Sequence, residues 1–191
     1  MRISGGKYKG FKLNPPKNDE IRPTSARLKE SIFSIIESKK YSNNLEGKLF
    51  LDLCTGTGSI GLEAFSRGAD IVYLIDKNPK SIELTQKNLI KLKLSNLLNT
   101  KIHLLKINLL NLDKFQFPIF NFIYVDPPYK TNYFNKVLDS LLKNNNLNQD
   151  TLIFLECYKM FNFFHKDFKI LTVKKYGVSF LHIVKVKNYC L

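Results

Sequence analysis

A glycine-rich turn directly after a run of apolar residues limits this sequence to a small number of folds. Three glycines have the spacing Gly56-x-Gly58-x-x-Gly61, directly after the apolar stretch that begins at Leu49. Such glycines permit a tight strand-to-helix turn and let a ligand approach the N-terminus of the helix. The sequence therefore predicts an α/β sheet with a nucleotide-containing ligand at the carboxyl ends of its strands.

The acidic residues near this turn narrow the choice of ligand. Asp52 lies four positions before Gly56, where its charge would repel a pyrophosphate but attract an amino group and a sulfonium. The ligand at this point is either a dinucleotide or S-adenosylmethionine (AdoMet). Asp76 ends the next apolar run and suits the ribose hydroxyls of either cofactor. Asn108 ends a third run, where its amide is placed to contact an adenine edge.

Strands and helices are predicted to alternate along most of the chain. The predicted strands are Leu49–Cys54, Ile71–Asp76, Ile102–Ile107, Phe120–Val125 and Leu152–Glu156, and the predicted helices are Ser59–Arg67, Pro79–Lys93 and one near Phe134–Leu142. This alternation favours a parallel sheet with helices on both faces. Two closing runs, Phe168–Lys175 and Val178–Val186, have only two residues between them, so they must pair antiparallel. We expect the α/β fold of Rossmann-like methyltransferases, with a mostly parallel seven-stranded sheet and a C-terminal antiparallel hairpin.

The motif Asp126-Pro-Pro-Tyr129 follows the predicted strand that ends at Val125. Its prolines have no amide N–H, so the side chain of Asp126 and the main-chain carbonyl of Pro127 are left as acceptors for one exocyclic NH2 group. Tyr129 offers a face on which a base can stack. Two acceptors localise the lone pair of a weakly nucleophilic arylamine and aim it at a methyl group, which a hydride-transfer enzyme would not need. The motif therefore favours AdoMet, with Asp126, Pro127 and Tyr129 as catalytic residues and Asp52, Gly56, Gly58, Asp76 and Asn108 around the cofactor.

The chain is strongly basic, because 30 lysine and arginine residues outnumber 16 aspartate and glutamate residues and give a formal net charge of +14. This excess favours a polyanionic partner, with nucleic acid ahead of a membrane surface. Five cations before the glycine-rich turn are expected to contact nucleic acid: Lys7, Lys9, Lys12, Arg22 and Arg27. The lysines can contact phosphates as point charges, and the arginines can form planar forks with them.

The N-terminal stretch differs in pattern from the rest of the chain. Residues 2–13 alternate polar and apolar side chains around glycines, which is typical of a short β-hairpin. Residues 14–23 contain prolines that favour an extended linker. Thr24 or Ser25 then caps a helix that should end near Lys40. We therefore expect a basic hairpin and linker at residues 1–23 and a methyltransferase domain at residues 24–191.

The cysteines and histidines give no sign of a metal site. Cys54, Cys157 and Cys190 are widely spaced and form no CxxC pair, which also argues against a disulfide framework. The sequence has no secretory signal and no apolar run of the roughly 18 residues that a membrane span requires. We expect a monomeric cytoplasmic protein with no metal and no membrane partner.

The chain resembles the bacterial 16S ribosomal RNA guanine-966 N2-methyltransferases over essentially its whole length. Four stretches carry the resemblance: MRISGGKYKGFKL at the N-terminus, Arg22–Phe33, Leu51–Ala69 and Asp126–Tyr129. The last two recur in many aminomethyltransferases, whereas the first two, in this order and spacing, indicate this family. The resemblance implies AdoMet as the methyl donor, the N2 amine of a guanine in small-subunit RNA as the acceptor, and an assembling small ribosomal subunit as the substrate.

Two other functions remain open at this point. An N6-adenine methyltransferase of DNA or RNA would use the same Asp-Pro-Pro-Tyr chemistry, because adenine also has an exocyclic amine. The sequence contains no separate target-recognition domain, which argues against sequence-specific DNA modification. A ribosome-assembly factor that has lost the chemistry is the second alternative, although the intact Asp126 and Gly56 argue against it.

Overall fold

A computed structural model of the 191-residue chain describes residues 1–16, 24–41, 44–127, 132–158 and 165–187. The described strands are β1 (Leu49–Leu53), β2 (Ile71–Asp76), β3 (Ile102–Lys106), β4 (Phe122–Val125), β5 (Leu152–Cys157), β6 (Phe168–Tyr176) and β7 (Ser179–Val186). The described helices are α1 (Ala26–Ile36), α2 (Ser59–Ser66), α3 (Pro79–Lys91) and α4 (Asn132–Lys143), with two 3-10 turns at Ser95–Leu97 and Leu109–Lys114. None of the described helices is long and apolar enough to cross a membrane.

The strands form one sheet in the order β3-β2-β1-β4-β5-β7-β6. The first five strands pair in parallel, whereas β7 pairs antiparallel with both β5 and β6. This arrangement confirms the predicted fold, including the antiparallel pair that closes the chain. The carboxyl ends of β1, β2 and β4 lie side by side at the middle of one edge, where a ligand of such a sheet binds.

Some predicted boundaries were wrong by a few residues. β1 ends at Leu53 rather than Cys54, because Cys54 has a φ of 65° and leaves the extended conformation. α1 ends at Ile36 rather than near Lys40, and α3 ends before Lys93, which has a φ of 57°. Ser25 rather than Thr24 caps α1, since its side chain accepts a hydrogen bond from the Leu28 N–H.

Two apolar layers pack against the sheet, because successive strand side chains point to opposite faces. Phe50 and Tyr124 lie in the layer that includes the buried residues of α1, α2 and α3. Leu51 and Val125 lie in the opposite layer, with α4 and the 3-10 turn at Leu109–Lys114. Burial on both faces explains why the central strands are almost continuously apolar.

The N-terminal segment, residues 1–16, turns back on itself and packs against α2. The predicted hairpin is reduced to one antiparallel bridge, between Arg2 and Lys12. The Lys7 N–H donates to the Ser66 carbonyl at 2.7 Å. A Cβ atom on Gly6, which has a φ of 73°, would lie 1.8 Å from the Ser66 carbonyl oxygen, so this close contact requires glycine.

One buried carboxylate fixes this segment in place. Glu63 of α2 accepts hydrogen bonds from the Ser4 N–H at 2.8 Å, the Ser4 hydroxyl at 2.9 Å and the Gly5 N–H at 2.7 Å. It also forms ion pairs with Lys29 and Arg67, each at 2.8 Å. Burial opposes ionisation, but the hydrogen bonds from Lys29 and Ser4 outweigh it and hold the pKa of Glu63 below its usual value.

Candidate active site

The glycine-rich turn joins β1 to α2 at the carboxyl edge of the sheet. Gly56 has a φ of 56° and Gly58, the residue before α2, a φ of 78°. A side chain on Gly58 would be strained, and its Cβ would lie 2.9 Å from the methyl group of Thr85. The Gly58 N–H donates to the Thr55 carbonyl at 2.8 Å and closes the turn.

Asp52 lies beneath this turn and is completely buried. Its Oδ2 accepts hydrogen bonds from the Thr55 hydroxyl at 2.8 Å and the Gly61 N–H at 2.9 Å. Its Oδ1 is buried and has no hydrogen-bond partner among the described residues. Burial raises the pKa of Asp52 to about 7, although the bonds from Thr55 and Gly61 oppose the shift. Asp52 therefore braces the turn, a role that sequence reasoning missed, and its contact with a cofactor amine stays a prediction.

Asp76 at the end of β2 joins the turn to the next loop. Its Oδ2 accepts from the Gly56 N–H at 3.0 Å, and its Oδ1 accepts from the Asn78 N–H at 2.9 Å. Asn78 caps α3, because its side chain accepts a hydrogen bond from the Lys80 N–H. The structure therefore holds the Asp76 carboxylate at the turn, and its contact with ribose stays a prediction.

Two polar residues of α3 hold the outer side of the turn, and sequence reasoning missed both. The Thr85 hydroxyl donates to the Gly56 carbonyl at 3.0 Å, and the Asn88 amide donates to the Thr57 carbonyl at 2.8 Å. Asn88 also accepts from the Asn14 N–H at 2.7 Å, which connects the turn to the N-terminal segment. Both side chains are fully buried. Residues three positions apart lie on the same face of a helix, and this spacing was the sequence signal that could have placed both side chains on the inner face of α3.

The Asp126-Pro-Pro-Tyr129 motif, which is predicted to bind the methyl-accepting amine, begins where β4 ends. The Asp126 N–H donates to the Leu53 carbonyl at 3.3 Å, which keeps Asp126 beside the end of β1. Pro127 is buried. Tyr129, the third predicted catalytic residue, lies outside the described residues.

Three predicted acidic residues lie on neighbouring strands at one edge of the sheet: Asp52 in β1, Asp76 at the end of β2 and Asp126 directly after β4. β1 pairs with both β2 and β4, and the Asp126 N–H donates to the Leu53 carbonyl of β1. Burial raises the pKa of the Cys54 thiol well above its usual value, and the charges of Asp76, Asp126 and Asp52 raise it further. The structure therefore places Asp52 and Asp76, which are predicted to bind the cofactor, at the same edge of the sheet as Asp126, which is predicted to bind the methyl-accepting amine.

Three side chains near Asp126 form a series of hydrogen bonds that was not predicted. The buried Tyr124 hydroxyl donates to Glu156 Oε2, and the Thr24 hydroxyl lies 3.4 Å from the Tyr124 oxygen. Burial and the charges of Asp126 and Glu156 raise the pKa of Tyr124 well above its usual value. The tyrosine therefore stays protonated and donates. Sequence reasoning missed these hydrogen bonds because β4 and β5, which contain Tyr124 and Glu156, have the sequence pattern of apolar core strands.

The remaining predicted site residues that the structure describes are on the surface. Asn108 is exposed at the start of the 3-10 turn, where its side-chain oxygen accepts from the Leu110 N–H at 3.1 Å. Its contact with adenine stays a prediction. The lysines of the N-terminal segment and the first basic residue of α1 are all exposed: Lys7, Lys9, Lys12 and Arg27. Arg22 lies outside the described residues. Within the described ranges, no group of three or more His, Cys, Asp or Glu side chains could hold a metal ion.

Known proteins share both the sequence and the fold. The family model described as "Conserved hypothetical protein 95" matches residues 1–185. The ribosomal RNA small subunit methyltransferase D of Buchnera aphidicola subsp. Baizongia pistaciae is 31% identical, over 82% of this chain and 75% of the relative. An uncharacterized methylase of Rickettsia prowazekii is 28% identical over 99% of each protein.

A solved structure supports the same assignment at the level of the fold. The Escherichia coli protein yhhF superimposes with a TM-score of 0.81 over 97% of each chain, at 23% sequence identity. The family model spans nearly the whole chain, and the Buchnera relative is aligned over most of its own length. The chain therefore belongs to the family of the ribosomal RNA small subunit methyltransferase D proteins, as its N-terminal and α1 motifs indicated.

Proposed function

We propose that this protein transfers a methyl group from AdoMet to the exocyclic N2 amine of a guanine in small-subunit ribosomal RNA. The proposal is supported by the position of Asp52, Asp76 and Asp126 on three neighbouring strands at one edge of the sheet, where the glycine-rich turn and the Asp126 motif both begin. The names of the related methyltransferases support ribosomal RNA as the substrate.

The donor side fits AdoMet better than a dinucleotide. Asp52 has a buried acceptor, Oδ1, that lacks a partner among the described residues, and a cofactor amino group would satisfy it. The Asp76 carboxylate keeps free lone pairs for ribose hydroxyls after it has accepted one N–H on each oxygen. AdoMet supplies an electrophilic methyl group on a sulfonium, whose positive charge the nearby carboxylates favour.

The acceptor side positions the guanine amine. The Asp126 carboxylate and the Pro127 carbonyl each accept one N–H of the amine, which localises the nitrogen lone pair and directs it towards the methyl group. As the N–C bond forms, the bond between the methyl group and the cofactor sulfur would break and S-adenosylhomocysteine would leave, and Asp126 takes the proton that the amine loses. Tyr129 stacks on the base, and its ring rather than its hydroxyl supplies this contact.

Basic residues outside the pocket hold the RNA. The target base must leave its stack to reach Asp126, which costs a few kcal/mol. Phosphate contacts from Lys7, Lys9, Lys12 and Arg27 on the described surface, together with Arg22, offset this cost. Because such a flipped base must be accessible, we propose a partly assembled small subunit as the substrate and a single protein molecule as the active unit.

The proposal is tested by identifying the product. The protein is incubated with methyl-labelled AdoMet and small-subunit RNA, partly assembled small subunits or duplex DNA, and the digested nucleosides are separated. We expect N2-methylguanosine from a ribosomal substrate. N6-methyladenosine would establish the adenine alternative, and no transfer to any substrate would favour the assembly factor. Calorimetric titration should show binding of AdoMet and none of NADH.

A further inference from the structure

A second carboxylate lies beside the proposed acceptor site. Val125 pairs with Leu155 in the parallel ladder between β4 and β5, so Asp126 and Glu156 are the next residues on these strands. Neighbouring strands lie about 4.8 Å apart, and side chains at matching positions point to the same face. The charges of both carboxylates raise the pKa of the Cys157 thiol to about 11, after the larger effect of burial. Glu156 therefore lies near Asp126 at the carboxyl edge.

The Glu156 side chain is held in one orientation. It is 7% exposed, and its Oε2 accepts a hydrogen bond from the Tyr124 hydroxyl. Because Tyr124 donates to Glu156, the 3.4 Å contact with Thr24 is made by the threonine hydroxyl as donor. Among the described residues, Oε1 of Glu156 accepts no hydrogen bond, and it is not among the fully buried atoms that lack a partner. Within the described part of the chain, Oε1 is therefore an acceptor that has no hydrogen-bond donor.

Guanine and adenine differ at the position that such an acceptor would contact. Next to its exocyclic amine, guanine has the donor N1–H, whereas adenine has an N1 lone pair next to its own amine. An ionised carboxylate has only acceptors, so it attracts the first group and repels the second. With both N2 protons bonded to Asp126 and Pro127, the N1–H is left for a third acceptor.

We propose that Glu156 accepts the guanine N1–H and thereby selects guanine over adenine, with Tyr124 holding its carboxylate in position. This inference rests on the proposed function, because it assigns specificity within the same acceptor site. Glu156 contacts the base but takes no part in bond making, whereas Tyr124 is a positioning residue.

The test compares target RNAs that carry either guanine or 2-aminopurine at the methylated position. 2-Aminopurine keeps the N2 amine but has a lone pair at N1 and no oxygen at C6. A hydrogen bond to a charged group contributes about 1.5–3 kcal/mol, so the wild type should prefer guanine in kcat/KM by roughly 10- to 150-fold. In Glu156→Gln the amide can donate to the N1 lone pair, so this preference should largely disappear. A preference that came from the missing oxygen would be the same in both proteins.

Two further variants complete the test. Tyr124→Phe keeps Glu156 but removes the hydroxyl that orients it, and should lose part of the preference even if Glu156→Gln folds poorly. Glu46→Gln, an exposed carboxylate-to-amide change, should keep the full preference. AdoMet affinity, measured for each variant, should stay within a few fold of the wild type.

Two results would overturn the inference while the proposed function stands. One is equal use of guanine and 2-aminopurine by the wild type, and the other is an unchanged preference in both Glu156→Gln and Tyr124→Phe. N6-methyladenosine as the wild-type product would instead overturn the proposed function, and this inference with it.

Discussion

The carboxylate of Asp52 accepts a hydrogen bond from the Gly61 N–H at 2.9 Å, directly beneath the glycine-rich turn. One oxygen thus supports the turn from below, while the other is buried without a partner among the described residues. An acceptor buried in this way costs about 1–3 kcal/mol until a donor reaches it. In the proposed complex, the amino group of AdoMet is that donor.

Asp52→Asn should therefore weaken AdoMet binding. It should also remove the loss of AdoMet affinity that the wild type shows at acidic pH. With the pKa of Asp52 raised to about 7, a proton competes with the cofactor amine as the pH falls from 8 to 5. The wild-type affinity should fall by up to about tenfold per pH unit below the pKa, whereas the variant should bind weakly with a flat profile. Calorimetric titration across this range measures both. A wild-type affinity that stays constant from pH 8 to pH 5 would contradict the assignment.

The stability of the same variant provides its control. A carboxylate with a raised pKa contributes stability that is present at low pH and lost as the pH rises through about 7. Without ligand at pH 8, Asp52→Asn should therefore unfold at a temperature no lower than the wild type. A much lower unfolding temperature would mean that the weakened binding reflects damage to the turn.

Glu63→Gln should strongly destabilise the protein. The change leaves the buried Lys29 without a charged partner and places an amide N–H among the donors from Ser4 and Gly5. Breaking a buried ion pair typically costs about 3–5 kcal/mol. Urea unfolding at pH 7 measures the loss. Because the pKa of Glu63 is lowered, the difference from wild type should narrow as the pH falls below about 4.

A matched change on the surface separates this effect from a general response to lost charge. Glu83 and Lys87 form an ion pair on α3 with both side chains more than half exposed. Glu83→Gln should cost no more than about 1 kcal/mol. Equal losses from the two variants would show that Glu63 does not anchor the N-terminal segment.

Changing Lys7, Lys9 and Lys12 together to alanine should weaken RNA binding and flatten its salt dependence. Each lost phosphate contact should reduce the log–log slope by about 0.7–0.9, while AdoMet affinity should be unchanged. RNA affinity over a salt series measures the slope. The matched control changes three exposed lysines on the α4 side of the sheet, Lys114, Lys143 and Lys166. If the two triple variants gave superimposable lines, the N-terminal lysines would have no specific role.

The sequence was sufficient to predict the fold, and it predicted a site at the edge of the sheet where Asp52, Asp76 and Asp126 lie. The alternation of apolar runs, the turn at Gly56 and the short link before β7 each depend on local rules of chain geometry. The supporting interactions could not be predicted in this way. Asn88 has the same sequence pattern whether it faces solvent or binds the Thr57 carbonyl, and only packing distinguishes the two cases.

Buried polar residues in apolar segments were the other source of error. Glu63 follows a leucine in a helix and resembles a surface residue, yet five donors surround it. Glu156 ends an apolar strand and gives no sign in the sequence that Tyr124 would donate to it. Such partners come from segments far apart in the chain, so their meeting depends on the tertiary fold.

In the proposed mechanism, Asp126 activates the acceptor amine and does not merely help to bind the cofactor. The most direct test is the single-turnover rate of N2-methylguanosine formation by Asp126→Ala, measured with saturating AdoMet and RNA, alongside AdoMet affinity by calorimetry. We predict that the rate falls by about 10²–10⁴-fold while the affinity stays within a few fold of the wild type. A rate close to that of the wild type would contradict this role of Asp126.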